Sequence, residues 1–417
     1  MISKISYNYF LILYSIIPIS FLFGPSISLI NILVIDLSFI LLILYKKNFS
    51  FLKSKPIKLL FLLYIYLIFN SFISLNSDLG FYRNLGFVRL IILFISINYF
   101  FNEKNFFNKV FLIWSCVFFL ISFDVYLEGI TGKNILGYGS EIGKDKYGQR
   151  IVSFFIDEPI VGGFINAFLL IIVGFFSDKL NLKYKNLILF SSFIFILAIL
   201  ITGERSNTLK AIFALIFFLL VVRNFSIKSK INSIILLSLI ITISILNSDF
   251  LKLRFLTQIK NSLNYEKNIY FQLQKSGFEV FKNYKIFGVG NKNYRFETCD
   301  NNSNLKNVNY ICTTHPHQTY LEFLSEHGIF GTTVILLIFY LLIFSKFKLF
   351  FKSYKNIQLG TFIYLLFAFS PFLPSGSFFS DYSITLFFIN MSIFYASSTE
   401  LNIFDNSKFK KKSIMNK

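Results

Sequence analysis

The 417-residue sequence is short of charge: Asp, Glu, Lys and Arg make up 15%, against 55% apolar and 20% aromatic residues. With charge-free runs long enough to cross a bilayer core of about 30 Å, that composition excludes a soluble domain and defines an all-α polytopic membrane protein. Acid is scarcer than base, 21 residues against 41, which leaves a formal charge of +20. The Lys and Arg residues sit in short clusters between hydrophobic runs, where orientation in the membrane accounts for them, so no nucleic-acid partner is expected. No internal repeat is visible, and no low-complexity domain stands out from the general Phe, Ile, Asn and Lys bias. The first apolar stretch, behind Lys4, lacks a small-residue cleavage site, and a second run follows at once. It reads as an uncleaved first span and not as a signal peptide.

By the ~20-residue length criterion there are about twelve hydrophobic segments. They lie near 9–24, 27–45, 57–75, 87–101, 109–125, 160–177, 187–203, 208–222, 231–247, 329–345, 357–373 and 382–397. With the N-terminus inside, every cytoplasmic connection is basic, from Lys46 and Lys47 through Lys179, Arg223 and Lys346 to the tail "KFKKK" at 408–412. That alternation is what the positive-inside rule requires, and it puts both termini in the cytoplasm. The organisation expected is spans 1–9 over residues 1–247, with an outer loop at 126–159, then a large outer loop at 248–328 containing short helices. Spans 10–12 over 329–397 and a basic tail at 398–417 complete it. Outer loops of this length usually have structure or function of their own. In the second, Ile269, Leu273 and Phe281 fall at roughly helical spacing, which predicts an amphipathic helix near the membrane surface, either a plain surface helix or one that guides substrate.

Histidine, like cysteine, occurs only three times. All three, His315, His317 and His327, lie within "THPHQTYLEFLSEHG" at 314–328. Thr314 suits an N-cap, Pro316 a first helical turn and Gly328 a C-terminal stop, so the spacing predicts a helix with His317 in its first turn, on one face with Leu321 and Leu324. There the helix dipole disfavours the imidazolium and leaves a neutral imidazole able to accept a proton. His327 would lie roughly 15 Å further along the axis, too far to share a metal with His317. His315 and His317 lack an evident third ligand, so no metal site and no cofactor is expected. Of the three cysteines, Cys116 falls in a span and reads as packing. Cys299 and Cys312 flank a stretch of the large outer loop, where an oxidising compartment would let them close a loop of about 14 residues; two free thiols are the alternative.

At these residues the sequence resembles the bacterial O-antigen ligase and polymerase superfamily. That family has a His followed by Asn, Ser or Gln, nine residues, then Gly-x-x-Gly/Thr/Tyr, which His317-Gln318 and Gly328-Ile329-Phe330-Gly331 match. "IFGVGNKNYRFETC" (286–299) is similar to the preceding Gly-x-Gly element, "ITGERSNTLKAIFALI" (201–216) to the Gly-x-Arg-Ser/Gly pattern that opens a span, and "GQRIVSFFIDEPIVGGF" (148–164) to the element before the middle spans. The resemblance covers about 130–345. Many members also have an Arg or His fifteen to twenty positions before Gly-x-Gly, where this chain offers only Lys267 and Lys275.

The resemblance implies metal-independent glycosyl transfer at the periplasmic face of the bacterial inner membrane. The donor would be a glycan on undecaprenyl diphosphate, and the acceptor a sugar hydroxyl on lipid A-core or another glycan. His317 would then serve as base and Arg205 would hold the leaving diphosphate, since guanidinium groups match phosphate oxygens with paired donors. Arg89, Arg150, Lys210 and Arg295 are further candidates for the diphosphate, although Arg89 and Lys210 can equally snorkel to headgroups, and Arg205 can pair with Glu204. A polysaccharide polymerase of the same superfamily is the alternative activity. A lipid-linked-glycan flippase or transporter is a further one, against which stand the missing repeat and the shortage of mid-membrane charge beyond Asp36 and Asp124.

Overall fold

The computed structural model describes residues 4–139, 150–156, 158–180, 185–223, 225–262, 268–299, 310–347 and 354–404. Among them the chain is all-α, the sole sheet-like feature being an isolated bridge between Lys133 and Gly139. The N-terminal helices are α1 (Lys4–Leu22), α2 (Pro25–Lys46), α3 (Lys55–Phe72), α4 (Ser77–Gly86), α5 (Val88–Phe100) and α6 (Lys104–Thr131). Then come α7 (Val161–Lys179), α8 (Lys185–Ile201), α9 (Arg205–Val221) and α10 (Ile227–Asn247). Two loop helices, α11 (Ile269–Asn283) and α12 (Tyr294–Cys299), precede α13 (Thr319–Ile343), α14 (Asn356–Ala368) and α15 (Asp381–Ala396).

Each of the twelve hydrophobic segments lies on one of these helices. Seven helical stretches among the described residues are long and apolar enough to cross a membrane: α2, α3, α4 with α5, α6, α7, α10 and α13. Apolar helices such as α14, with 13 residues, fall short of the ~20 that a straight crossing needs, which is why the length criterion does not reach twelve.

The bundle is organised around α7, whose side chains are almost all buried against α6, α8, α9 and α14. At Gly174 a Cβ would come within 2.5 Å of Ile357 Cα, so hydrogen alone lets α7 and α14 approach backbone to backbone, as small residues do between helices in lipid. Carboxylates tie both ends of α7. Asp178 accepts from the amides of Asn356 and Ile357 (2.8 and 3.0 Å), capping α14, while Glu204 accepts from Gly162 and Gly163 (2.6 and 3.1 Å), capping α7 itself. The aromatic excess fills the remaining contacts: Phe111, Trp114, Phe118, Phe164 and Phe168 form a chain of ring contacts between α6 and α7, and Trp114 Nε1 donates to the Tyr14 carbonyl. Asp124, one of the two acids noted within spans, accepts from Ile135 N at 2.8 Å and from the Ser153 hydroxyl, so it holds the following loop.

The loop helix appears and is amphipathic, with Leu273 buried as expected and Ile269 not. α11 buries Leu273, Ser276, Gly277 and Val280 against α13 and leaves Ile269 exposed. Ser276 and Gly277 join Leu273 and Val280 on the packed face, because Pro316 and Leu321 come down onto Gly277, where a Cβ would lie 2.5 Å from Pro316 Cβ.

Candidate functional site

The region from His317 to Gly331 departs from the expected helix at its start and agrees with it at Gly328, the expected stop. Gln318, in extended conformation, is the N-cap of α13: its Oε1 accepts from Leu321 N at 2.7 Å. His317 therefore precedes the helix, with φ +55°, and shares no helical face with Leu321 or Leu324. Thr314 is not the cap and Pro316 is not helical; the Gln318 side chain reaches the free amide that theirs do not. α13 then breaks at Gly328 (φ +62°, ψ −171°), a conformation suited to glycine, and continues as a span.

Breaking a helix frees backbone groups that water or protein must satisfy. Here the Gly-x-Gly stretch does so. Ile329 N and Phe330 N donate to the carbonyls of Lys285 and Ile286 (2.8 and 3.1 Å), and Val289 N and Gly290 N donate to those of Ser325 and Glu326 (both 2.9 Å). A Cβ at Gly331 would overlap the Tyr66 hydroxyl, which bonds His327 Nδ1 at 3.2 Å. Gln318, Gly328 and Gly331 thus shape the element, and His327 is fully buried in it.

His317 faces a cavity of about 820 Å³ at the end of the bundle where the two long loops meet. Arg150, Arg205, Lys210 and Arg254 line the same cavity, as does Tyr270 of α11. Tyr270 touches both His317 and Arg205: its ring centroid lies 5.9 Å from that of His317 and 6.0 Å from the Arg205 guanidinium carbon. Glu204 does not neutralise Arg205, because its carboxylate is taken by the amides of Gly162 and Gly163 and by Asn207 Nδ2 at 2.6 Å. Among the described residues Arg205 and Lys210 have no hydrogen-bonding or ion-pair partner. Arg254 is held by two bonds from its guanidinium to the Gly203 carbonyl (3.1 and 2.8 Å) and one to Gln258 (2.8 Å). Burial, and then the nearby Arg150 and Arg205 charges, bring Arg254 down to about 10. Cations gathered this closely, with the donors of Arg205 and Lys210 free, can hold an anion.

His317 titrates well below an ordinary histidine, at about 4, first because it is desolvated and then because His315 lies against it with ring centroids 4.1 Å apart. It is neutral as expected, but burial is the cause and not a helix dipole. His315 is likewise brought down to about 4 by burial and by Lys292, and its Nδ1 pairs with the Thr314 hydroxyl at 2.9 Å.

Two of the named cations lie elsewhere. Arg89 joins Arg83 on the Asp381 carboxylate, beside the start of α15, and Arg295 is exposed on α12. Neither lines the cavity. Cys299 and Cys312 form a disulfide, with Cα atoms 4.6 Å apart. The sequence reading passed over Arg254 and Tyr270, which belong to no motif. Residues 371–378, which form one wall of the cavity, were also missed; their Pro, Ser and Gly content was the available signal.

Residues 190–336 match the family described as O-antigen ligase. The chain carries an O-antigen ligase domain. No curated protein matches the chain. The ligase domain includes Arg205, Arg254, Tyr270 and His317, whereas Arg150 and residues 371–378 complete the cavity from outside it. With the span-length helices, the match supports a multi-pass membrane protein that over residues 190–336 is similar to the O-antigen ligase and polymerase superfamily.

Proposed function

We propose that the protein is an O-antigen ligase-like glycosyltransferase that moves a glycan from undecaprenyl diphosphate to a sugar hydroxyl of lipid A-core or a similar lipid-anchored acceptor. The observation that supports this most directly is the pairing, across one cavity, of the neutral His317 with Arg205, which has no hydrogen-bonding or ion-pair partner among the described residues. The cavity also runs from polar to apolar: Leu170, Ala214, Phe367, Leu386 and Phe387 line it beside the cations. A diphosphate attached to a long hydrocarbon chain suits both halves.

In the proposed step the acceptor hydroxyl gives its proton to the His317 imidazole while its oxygen attacks the anomeric carbon of the donor sugar. The bond from that carbon to the diphosphate oxygen breaks, and undecaprenyl diphosphate leaves with the bonding electrons. Arg205, with Arg150, Lys210 and Arg254, stabilises the charge on the departing diphosphate, so fixed side-chain cations supply what a metal supplies in other transferases. Twelve spans, both termini in the cytoplasm and the cavity at the periplasmic face of the inner membrane complete the proposal, with the basic connections as its support.

The test is transfer by purified protein in nanodiscs, with chelator present, from a synthetic undecaprenyl-diphosphate-linked glycan. Loss of a general base costs on the order of 10²–10⁴ in rate, so His317→Ala should lose detectable transfer while accumulating normally. Near-normal transfer by that variant would overturn the assignment. Activity that vanishes with EDTA and returns with a divalent ion would overturn the metal-independent step.

A further inference from the structure

Residues 371–378, "PFLPSGSF", run along the cavity between α14 and α15. Three consecutive residues at the start of the histidine element hold them: Ser375 N donates to the His317 carbonyl (3.0 Å), Gln318 Nε2 to the Pro371 carbonyl (3.3 Å) and Thr319 Oγ1 to Ser375 Oγ (3.1 Å). On the other side, the hydroxyl of Ser206, next to Arg205, donates to the Pro374 carbonyl. One short strap is therefore bonded to the backbone of the base and to the neighbour of the principal cation. His317 sits in the left-handed region, where a residue with a Cβ persists only if its surroundings over-determine it.

Beneath the strap, Glu322 is fully buried in the first turn of α13. Both of its oxygens point at the strap: Oε1 accepts from Ser377 Oγ at 2.6 Å and Oε2 from Phe378 N at 2.9 Å. Lys292, from the loop that seals the break in α13, donates to the same Ser377 hydroxyl at 2.7 Å. A carboxylate buried at such a place is costly unless its acceptors are filled, and here the strap fills them.

We propose that the 371–378 strap sets the position of His317 relative to Arg205, and that Glu322 is the positioning residue that anchors it. This rests on the transferase reading above. Glu322→Gln keeps the shape but sets an NH₂ donor against Ser377 Oγ, which must then accept from both that group and Lys292, and it removes the charge that attracts Lys292, so the anchor is weakened. A shift of about 1 Å in a reacting group can cost on the order of 10²-fold in rate. Donor affinity is expected to survive, because the cavity cations remain.

The experiment combines hydrogen exchange and kinetics on the full chain in nanodiscs, comparing wild type, Glu322→Gln, Ser377→Ala and Ser377→Thr. In wild type the amides of Ser375 and Phe378 should be protected. In Glu322→Gln and Ser377→Ala their exchange should rise by about tenfold or more while peptides from α13 stay unchanged, and Ser377→Thr, which keeps the hydroxyl, should restore protection. With the synthetic donor, kcat should fall roughly 10- to 100-fold in the two loosened variants, with KM for donor within about twofold of wild type. An unprotected strap in wild type overturns the anchor, and a loosened strap with unchanged kcat overturns the positioning role. No transfer by wild type would overturn the transferase reading instead, leaving exchange to judge the anchor by itself. Should Glu322→Gln fail to fold, the Ser377→Ala and Ser377→Thr pair decides alone.

Discussion

Arg205 offers the sharpest separation between a functional and a structural residue. Its guanidinium has no hydrogen-bonding or ion-pair partner among the described residues, only the Tyr270 ring at 6.0 Å, and its charge, after burial and with that of Arg150, helps to bring Arg254 down to about 10. In the folded protein without substrate, Arg205 therefore contributes repulsion that opposes its one ring contact with Tyr270, and removing it should not destabilise the chain. For the reaction the sign reverses. Removing one pre-aimed donor to a developing negative charge typically costs about 3–4 kcal/mol, or 10²–10³ in rate, and Arg205 presents a fork of donors. Arg205→Ala should thus lower kcat/KM by at least about 10²-fold. Arg205→Lys, which keeps the charge but not the planar fork, should fall between it and wild type. The thermal midpoint of Arg205→Ala in nanodiscs should equal or exceed that of wild type, and added undecaprenyl diphosphate should raise the midpoint of wild type more than that of the variant. A midpoint several degrees lower in Arg205→Ala, with transfer reduced only in proportion to folded protein, would refute the argument and make Arg205 a structural residue.

Three further outcomes are expected. Because His315 and His317 are held at about 4 against 6.5 for free histidine, the unfolded chain takes up protons between those values that the native chain refuses. Their contribution to stability is complete above pH 6.5 and is lost as pH falls towards 4, and the acid limb of the rate profile should lie below pH 6; denaturation midpoints and kcat measured from pH 4 to 8 check both, and an acid limb centred near 6.5 would contradict the burial of His317. Gly331→Ala forces a methyl group onto the Tyr66 hydroxyl and should cost about 1–3 kcal/mol or more, seen as a lower midpoint, with Tyr66→Ala restoring part of it; an unshifted midpoint would contradict the packing at Gly331. Reduction of the Cys299–Cys312 bridge should give a mobility shift, and Cys299→Ser with Cys312→Ser should lower stability by up to about 3 kcal/mol in the chain-entropy account; thiols that alkylate freely in the folded, unreduced protein would contradict the bridge.

Much of the architecture was legible because lipid leaves so few choices. Twelve apolar stretches could only be helices, and each lies on one. What the pattern could not show is where a helix is too short to cross by length alone, as in α14, because its ends are fixed by contacts such as Asp178 on the Asn356 and Ile357 amides. At the site, His317 was named from its local sequence, and Arg205, Arg150 and Lys210 from the family resemblance and their charge; all four share one cavity. Arg89 and Arg295 were named on the same charge argument and lie elsewhere, since charge alone does not reveal a partner such as Asp381. Local spacing also misled: helical periodicity from Thr314 hid the extended Gln318, and the apolar positions of α11 drew attention from Ser276 and Gly277, whose small size makes the contact. Arg254, Tyr270 and the strap come from separate parts of the chain and meet only through folding.

The broken α13 has a consequence for anyone who would exchange parts between relatives. Its Gly328 joint is closed by four backbone bonds from residues 285–290, a stretch more than thirty positions upstream. The two pieces behave as mating halves of one hinge pin, neither of which is a module. A chimaera that imports the histidine helix with the native Gly-x-Gly stretch, or the reverse, inherits a joint whose carbonyls and amides face the wrong counterpart. Such hybrids should fail at assembly, before specificity for any sugar is tested, unless the crossover points fall outside 285–331 as a block.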